Sequence, residues 1–314
     1  MSSIRTATKR LLSTSTSTSS SSKLTVGYVP EHFSTPLFFA QQNGSYSLGS
    51  PEFVPFVSGT GHMIESLKNK EIDVAVGLTE GFVAGLGKGA DFYKIIGTYV
   101  QSPLCWAIST GINRADVSSI DSLKGGNIGI SRIGSGSYVM PFVLAKQQGW
   151  TTTTTKSLFN FKILNNFKNL RDGVNSKIAD AFLWEFFTSK RYYDSQEIKY
   201  VDRIYTPWPS WTITARTDII ESSLVDQLKS FLSGLNDGIT FFNQNPENAI
   251  KHISTNLDYT AQDASEWIKT VEFAKDVGKI DKHVIVDNTV EILAQAGVIT
   301  DAKSLDTSNF IARL

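Results

Sequence analysis

The stretch GISRIGSGSYVMPFVLAKQQG, from Gly129 to Gly149, decides the fold. A short apolar strand runs through a Gly/Ser loop directly into a helix. Ser135, Gly136 and Ser137 place backbone N–H groups at the helix start with little side-chain bulk over them. Such groups attract anions, because they lack partners within the helix and the helix dipole points the same way. Pro141 predicts a helix that begins near Ser137, because proline is tolerated in a first turn. We therefore expect a small ligand with a negatively charged or polar end.

Two other interpretations of this loop compete with an anion site. The first is an ordinary flexible Gly/Ser loop. The second is a nucleotide-binding loop, but the chain has no G-x-x-x-x-G-K-[ST] run, and Val139 stands where the dinucleotide pattern that starts at Gly134 needs its third glycine. The spacing therefore argues against a nucleotide loop and leaves the other two open.

Composition narrows the class of protein. A chain of 314 residues, 41% of them hydrophobic, predicts about two domains with sizeable cores. The formal net charge is zero, so the composition does not indicate binding to nucleic acid. The single Cys105 indicates a reducing compartment. The scattered His32, His62, His252 and His283 show no metal-ligand spacing. No apolar run approaches the roughly 18 residues of a membrane helix, so we expect no membrane insertion.

Residues 1–23 differ in kind from the rest of the chain. They are rich in Ser and Thr, carry four basic residues, and precede the first acidic residue, Glu31. This pattern resembles a mitochondrial transit peptide, and the alternative is a disordered tail. We accordingly expect an intracellular protein, mitochondrial if the tail is a transit peptide and otherwise cytoplasmic.

From Leu24 onward, short apolar strands alternate with helical segments, and the alternation restarts after the turn DSLKGG. Two successive series of this kind predict two lobes, each a parallel sheet with helices on both faces. Beyond Ser222 the apolar residues repeat at three- and four-residue steps, which predicts a helical tail. The run Thr151–Thr155 is a low-complexity loop.

Seven segments, taken in order, carry a family resemblance: YVPEHFSTPLFFAQQNG, SGTGHM, KNKEIDVAVGLTEG, QSPLCWAI, SLKGGNIGISRIGSGS, IADAFLWEFF and TPWPSW. Between Leu24 and Arg216 the chain resembles the type 2 periplasmic-binding-protein superfamily. Within it, the chain is similar to the group of nitrate, sulfonate and taurine solute-binding proteins and yeast thiamine-pyrimidine-precursor synthases. More specifically, it resembles fungal members of unassigned function, represented by a Candida protein described as a possible thiamine biosynthesis protein.

The resemblance implies an α/β fold of two Rossmann-like lobes, with mixed, mostly parallel sheets joined by a two-segment hinge. Residues 24–109 and 211–314 would form lobe one, and residues 110–210 would form lobe two. The hinge segments would be Ser102–Thr110 and Thr206–Trp211.

The ligand site is expected between these lobes. Ligands of open parallel sheets bind beyond the carboxyl ends of strands, which places the following residues at the cleft: Glu31, His32, Thr79, Glu80, Ser102, Arg132, Ser135, Gly136, Ser137, Trp184, Glu185 and Trp208. The loop and Arg132 would hold an anionic arm. Trp184 and Trp208, with Phe186, would offer flat faces, and the glutamates would accept N–H groups. Alternatively, Trp184 belongs to the core and Arg132 to a surface ion pair.

We expect a binding protein that closes its lobes around a small polar or anionic ligand, of which a pyrimidine linked to thiamine metabolism is one example. We expect no catalytic residue, metal or cofactor, and leave the oligomeric state open. The alternative is an enzyme of pyrimidine-precursor synthesis, which would need iron and pyridoxal phosphate. The related synthases carry several closely spaced cysteines, whereas this chain has only Cys105. A second alternative, a solute receptor of a transporter, would need a secretory signal or lipid anchor, and residues 1–23 resemble neither.

Overall fold

The computed structural model describes residues 23–150, 158–300 and 302–314. The predicted N-terminal tail, except for Lys23, and the predicted loop Thr151–Thr155 lie outside these residues. The architecture is two five-stranded mixed sheets covered by helices, which confirms the predicted α/β class.

The first sheet combines the start of the chain with one later strand. In spatial order it contains β2 (Glu52–Pro55), β1 (Thr25–Tyr28), β3 (Val74–Leu78), β10 (Trp211–Arg216) and β4 (Tyr93–Val100). Strand β10 is antiparallel to both of its neighbours, whereas β1, β2 and β3 are parallel.

The second sheet repeats this plan with the middle of the chain. Its spatial order is β7 (Asn160–Ile163), β6 (Asn127–Ile130), β8 (Ala181–Glu185), β5 (Cys105–Gly111) and β9 (Ile198–Tyr205). Here β5 is the strand that runs antiparallel to both neighbours. In each sheet the antiparallel strand is therefore the first strand after the chain has crossed from the other sheet.

The helices cover the sheets on both faces. Those that follow strands are α1 (Thr35–Gln42), α2 (Thr60–Lys68), α3 (Thr79–Gly87), α4 (Gly136–Gln147), α5 (Phe167–Asn175), α6 (Phe186–Asp194) and α7 (Thr217–Ile220). The helices of the predicted helical tail are α8 (Val225–Gln244), α9 (Pro246–Asn256), α10 (Ala261–Ile268) and α11 (Asn288–Gln295). We call the first sheet with α1–α3 and α7–α11 the first lobe, and the second sheet with α4–α6 the second lobe.

Two short segments connect the lobes. The chain leaves the first sheet through residues 101–104 and returns through residues 206–210. The predicted boundary after Ser109 falls inside β5, so the observed crossing is shorter than the predicted hinge segment Ser102–Thr110. The exact division of the chain into lobes stays a prediction.

Helix α4 begins at Gly136, one residue from the predicted start, but the argument from proline was wrong. Pro141 is the sixth residue of the helix and is buried within it. It therefore lies in the second turn, where its missing N–H group removes one helical hydrogen bond.

Helix α6 follows β8 directly, and the sequence pattern does not predict it. Its sequence, FFTSKRYYD, has no clear apolar spacing. The helix is initiated by Glu185 itself, whose carboxylate accepts a hydrogen bond from the backbone N–H of Thr188 at 2.5 Å.

Candidate ligand-binding cleft

A cavity of about 960 Å³ lies between the two lobes. The first lobe contributes the residues after β1 and β3 and the starts of α2 and α3, and the second lobe contributes the residues after β6 and β7 and the last two residues of β8. The cavity therefore occupies the position that the parallel-sheet rule predicts, beyond the carboxyl ends of strands in both sheets.

Eight of the twelve predicted site residues line this cavity: Glu31, Glu80, Arg132, Ser135, Gly136, Ser137, Trp184 and Glu185. The other four, His32, Thr79, Ser102 and Trp208, do not line it. Contact with a ligand stays a prediction for all twelve.

Two of these four residues support the cleft from behind. The buried indole of Trp208 donates a hydrogen bond from Nε1 to Oε2 of Glu80 at 3.1 Å. The hydroxyl of Thr79 donates to the carbonyl of Pro209 at 2.6 Å. Both contacts fasten the second crossing segment to the start of α3, so these side chains position Glu80.

Ser102 and His32 lie toward the crossing segments. Ser102 lines a separate pocket of about 70 Å³, and its Oγ accepts a hydrogen bond from the backbone N–H of Glu272 at 3.0 Å. His32 is fully buried, with ring centroids 4.4 Å from Tyr259 and 4.2 Å from Trp267. Neither side chain presents an accessible polar group to the main cavity.

The Gly/Ser loop uses its hydroxyls internally. Oγ of Ser135 donates to the carbonyl of Arg132 at 2.8 Å, and Oγ of Ser137 accepts from the backbone N–H of Ser131 at 3.0 Å. The backbone N–H groups of Tyr138 and Val139 donate to the carbonyl of Ser135, so the helix-start donors that remain for a ligand are the N–H groups of Gly136 and Ser137.

Arg132 reaches across the cleft from the second lobe. Its guanidinium lies against Gly61 at the start of α2, where an added Cβ would collide with it. Burial lowers the pKa of Arg132. Among the described residues its guanidinium forms no salt bridge, so the predicted alternative of a surface ion pair finds no support there.

Glu80 faces α4 from the opposite wall. It is 1% exposed, and its Oε1 lies 2.8 Å from the position of an added Cβ on Gly136. Within the described part of the chain, Oε1 has no hydrogen-bond partner. Burial raises the pKa of Glu80 to about 7. This carboxyl is thus a buried, half-satisfied group whose free oxygen lies against Gly136 of the opposite lobe.

Trp106 and Trp211 also line the cavity, and the sequence analysis did not predict them as site residues. Both indole N–H groups are buried and have no partner among the described residues. Trp106 pairs with Glu185 at the end of β8, and Trp211 pairs with Leu78 at the end of β3. The sequence could have identified both residues by their position at the start of the strand that follows each crossing. Such a strand is antiparallel to its neighbours, so its amino end lies at the carboxyl edge of those neighbours.

Trp184 forms part of the aromatic wall of the cleft. Its ring stacks on Phe167 with centroids 5.1 Å apart and an interplanar angle of 17°, and both residues line the cavity. Trp184 was predicted either to belong to the core or to line the cleft. Its half-buried ring does both.

Glu31 and Glu185 form an acidic pair. Glu185 is 6% exposed, and burial raises its pKa to about 7. Burial, together with the charge of Glu185, raises the pKa of Glu31 to about 8. His32 Nε2 lies 3.8 Å from Oε1 of Glu185, but burial holds the pKa of His32 well below its usual value. The histidine is therefore neutral and does not compensate the carboxylates.

The described residues contain no cluster of three or more His, Cys, Asp or Glu that could hold a metal ion. Burial raises the pKa of the Cys105 thiol to about 11, so at neutral pH it is a thiol and a poor nucleophile.

Two mixed sheets joined by two crossing segments, with a cavity between them, define the periplasmic-binding-protein fold. A family model described as Ca3427-like PBP matches residues 106–204. The solved structure of the Candida albicans CA3427 gene product is 48% identical, with a TM-score of 0.83 over 92% of this chain and 93% of that chain. The chain belongs to the CA3427 family, whose members share the generic periplasmic-binding-protein fold.

More distant structures share the fold alone. The alkanesulfonate-binding protein SsuA of Xanthomonas axonopodis pv. citri, bound to MOPS, is 12% identical, with a TM-score of 0.74 over 93% of this chain and 98% of that chain. The aliphatic sulphonate-binding protein SsuA of Escherichia coli is 14% identical, with a TM-score of 0.69 over 93% of both chains. A search of curated proteins found no significant match. In the part of the chain that the structure describes, no helix is long and apolar enough to cross a membrane.

Proposed function

We propose that this protein binds a small polar molecule between its lobes and that the lobes close over it. The observation that carries the proposal is a set of unpaired buried groups on one cavity: Oε1 of Glu80 and Nε1 of Trp106 and Trp211. Buried polar atoms without partners are costly, so a molecule that satisfies them binds favourably.

A flat ring with amino and ring-nitrogen groups suits these positions. Trp184 stacked on Phe167 offers an aromatic wall, the carboxyl of Glu80 accepts an amino N–H, and the indole N–H groups donate to ring nitrogens. The first turn of α4 and the guanidinium of Arg132 would hold a polar or anionic arm. A pyrimidine, as in thiamine metabolism, is one such compound, and the resemblance to pyrimidine-precursor synthases is what supports that choice.

A thermal-shift panel tests the binding function. Pyrimidines, sulfonates, carboxylates and phosphates are screened against the wild-type protein, because a ligand that binds only the folded state raises the melting temperature. Glu80→Gln and Arg132→Gln are screened in parallel, with the exposed Glu52→Gln as the matched control. We expect a shift in wild type and control that both cleft variants reduce. A panel without any shift, or shifts that survive both cleft variants, would reject the proposal.

A further inference from the structure

Four glutamates line the cavity, and among the described residues none of them, including Glu65, forms a salt bridge with a lysine or arginine. Glu31, Glu80 and Glu185 all contribute to its wall. Among the described residues, the salt bridges of lysine and arginine join other carboxylates, and the contact of Glu185 is with the neutral His32. The cavity therefore holds glutamates without a salt bridge, while Arg132, Lys88 and Lys168 lie elsewhere on its wall, and Lys168 pairs with Asp172.

The other groups around Glu185 do not supply the missing charge. Glu31, His32 and Tyr259 face it from the first lobe, and Cys105 and Tyr193 face it from the second. Burial keeps both tyrosines and the cysteine neutral at pH 7.

The remaining neighbours do not change this balance. Arg203 shares the smaller pocket with Glu185, but within the described residues the two form no salt bridge. Among the described residues, Glu80 accepts one side-chain hydrogen bond, from the indole N–H of Trp208. Carboxylates in such surroundings either hold a proton or require a cation.

An independent observation indicates a ligand at the same place. Trp106 is 4% exposed and Trp211 is 3% exposed, and both line the cavity with an unpartnered Nε1. The ring of Trp106 also lies close to Gly136, where an added Cβ would approach both that ring and Oε1 of Glu80. Indole faces attract cations, and the two N–H groups need acceptors on the same molecule.

We infer that the ligand of this cleft is a small flat organic cation, an amidinium or a protonated amino-heterocycle, whose charged N–H groups bind Glu31, Glu80 and Glu185. This inference rests on the proposed binding function and names the class of its ligand. It places a positive charge on a ligand for which the loop Ser135–Ser137 suggested a negatively charged or polar end. When the cation binds, a carboxyl O–H bond breaks, its proton passes to the solvent, and the resulting carboxylate faces the ligand.

Three probes of nearly identical shape test the charge of the ligand. Benzamidine is a flat cation, benzamide is its neutral analogue, and benzoate is the matching anion. Isothermal titration calorimetry measures each against the wild-type protein, and phenyltrimethylammonium with neutral tert-butylbenzene provides a second pair that has no N–H donor. We expect benzamidine to bind at least about tenfold more tightly than benzamide or benzoate, since one charge-assisted pair contributes more than about 1.4 kcal/mol in a buried site.

Proton release on binding is a second readout, and it does not depend on the shape of the probe. Titrations with benzamidine in two buffers of different ionisation enthalpy, at pH 6.0, 7.0 and 8.5, should show protons released and affinity rising with pH. Glu31→Gln, Glu80→Gln and Glu185→Gln should each weaken benzamidine binding by about tenfold or more, whereas the exposed Glu52→Gln should retain wild-type affinity.

The outcomes separate this inference from the binding function. If benzoate or benzamide binds as tightly as benzamidine, and Arg132→Gln abolishes that binding, the cleft is a binding site but the cation inference is wrong. The cation inference is equally wrong if neither cation exceeds its matched neutral compound, or if binding takes up protons. If none of the probes binds and the thermal-shift panel also shows nothing, the binding function itself fails.

Discussion

Glu80 shows how single residues define this cleft. One carboxyl oxygen accepts from Trp208 behind it, and the other lies opposite Gly136 of the other lobe without a partner among the described residues. The residue thus connects the crossing segment, the start of α3 and the far wall. Because burial raises its pKa to about 7, its proton is held more tightly in the folded than in the unfolded chain.

That difference makes stability depend on pH. With an unfolded value near 4.5, the contribution of Glu80 to the free energy of unfolding is largest below pH about 4.5. It is lost as the pH rises to about 7, at up to about 1.4 kcal/mol per pH unit. We expect Glu80→Gln to flatten the pH dependence between 4.5 and 8, as measured by urea denaturation. Glu52→Gln should keep the wild-type slope, and an equally steep slope in Glu80→Gln would contradict this interpretation.

Gly136 allows the two walls to approach each other. A Cβ there would lie 2.5 Å from the ring of Trp106 and 2.8 Å from Oε1 of Glu80. We expect Gly136→Ala to impose an overpacking cost of about 1–3 kcal/mol on this arrangement of the lobes. Small-angle X-ray scattering should show a larger radius of gyration, and any ligand-induced thermal shift should shrink.

The matched control is Gly278→Ala, where an added Cβ meets only Oδ1 of Asp276, at an ordinary 3.4 Å. If both alanine variants scatter like the wild-type protein and bind equally well, Gly136 is not a contact that limits closure.

For single residues, the sequence predicted the glutamates and the loop Ser135–Ser137 as cavity-lining residues, but it did not predict the two tryptophans Trp106 and Trp211. Glu80 and Glu185 follow apolar strands directly, so the strand-end rule finds them. Trp106 and Trp211 begin strands, and a rule built on parallel sheets assigns them to the core or to the far edge. Only the antiparallel direction of β5 and β10 brings them to the cleft.

Among the elements, α10 illustrates what local sequence determines. Thr260 precedes the helix, its Oγ1 accepts from the backbone N–H of Asp263 at 3.0 Å, and its hydroxyl donates to Oδ2 of Asp263 at 2.7 Å. The residue spacing alone favours this reciprocal cap, because both partners lie within one turn.

Thr260→Ala should lower the free energy of unfolding by about 1 kcal/mol, since it leaves a helix-start N–H group without its acceptor. Chemical denaturation measures the change. Ser254→Ala, on an exposed face of α9, is the control and should alter stability by less than half as much. Equal effects of the two substitutions would show that the cap contributes nothing.

Elements whose ends depend on tertiary contacts were harder to predict. Helix α3 begins at Thr79 directly after β3, although the glycines of TEGFVAGLG are poor helix formers. Close packing explains two of them, since a Cβ at Gly81 would meet Thr60, and one at Gly85 would meet the hydroxyl of Tyr93. Such packing is invisible in a local pattern.

For the whole molecule, the alternation of strands and helices together with the order of seven motifs predicted two mixed sheets correctly. The contacts between the lobes were not predicted. Lys190 of α6 pairs with Asp263 of α10 at 2.9 Å, and Lys146 of α4 pairs with Glu291 of α11 at 3.3 Å. The two residues of each pair are 73 or more positions apart in the sequence, so local sequence periodicity cannot predict these contacts.

The Lys190 contact should help to hold the lobes together. Asp263 is buried, with 4% of its side chain exposed, so Lys190→Met leaves its carboxylate without this cation at a cost of about 1–3 kcal/mol. We expect a larger radius of gyration in small-angle scattering and a lower melting temperature. Lys229→Met, which removes only a 4.0 Å pair within α8, should change neither. An unchanged radius in Lys190→Met would show that closure does not depend on this pair.

The placement of β10 has a consequence for the order in which the protein can form during synthesis. Sheet two is built from one continuous stretch, residues 105–205, and is complete as soon as that stretch has left the ribosome. Sheet one must wait, because β10 separates β3 from β4 and is made only afterwards. A nascent chain stopped at residue 205 therefore holds a finished second half and a first half whose β4 has no neighbour, an exposed edge that chaperones would have to shield.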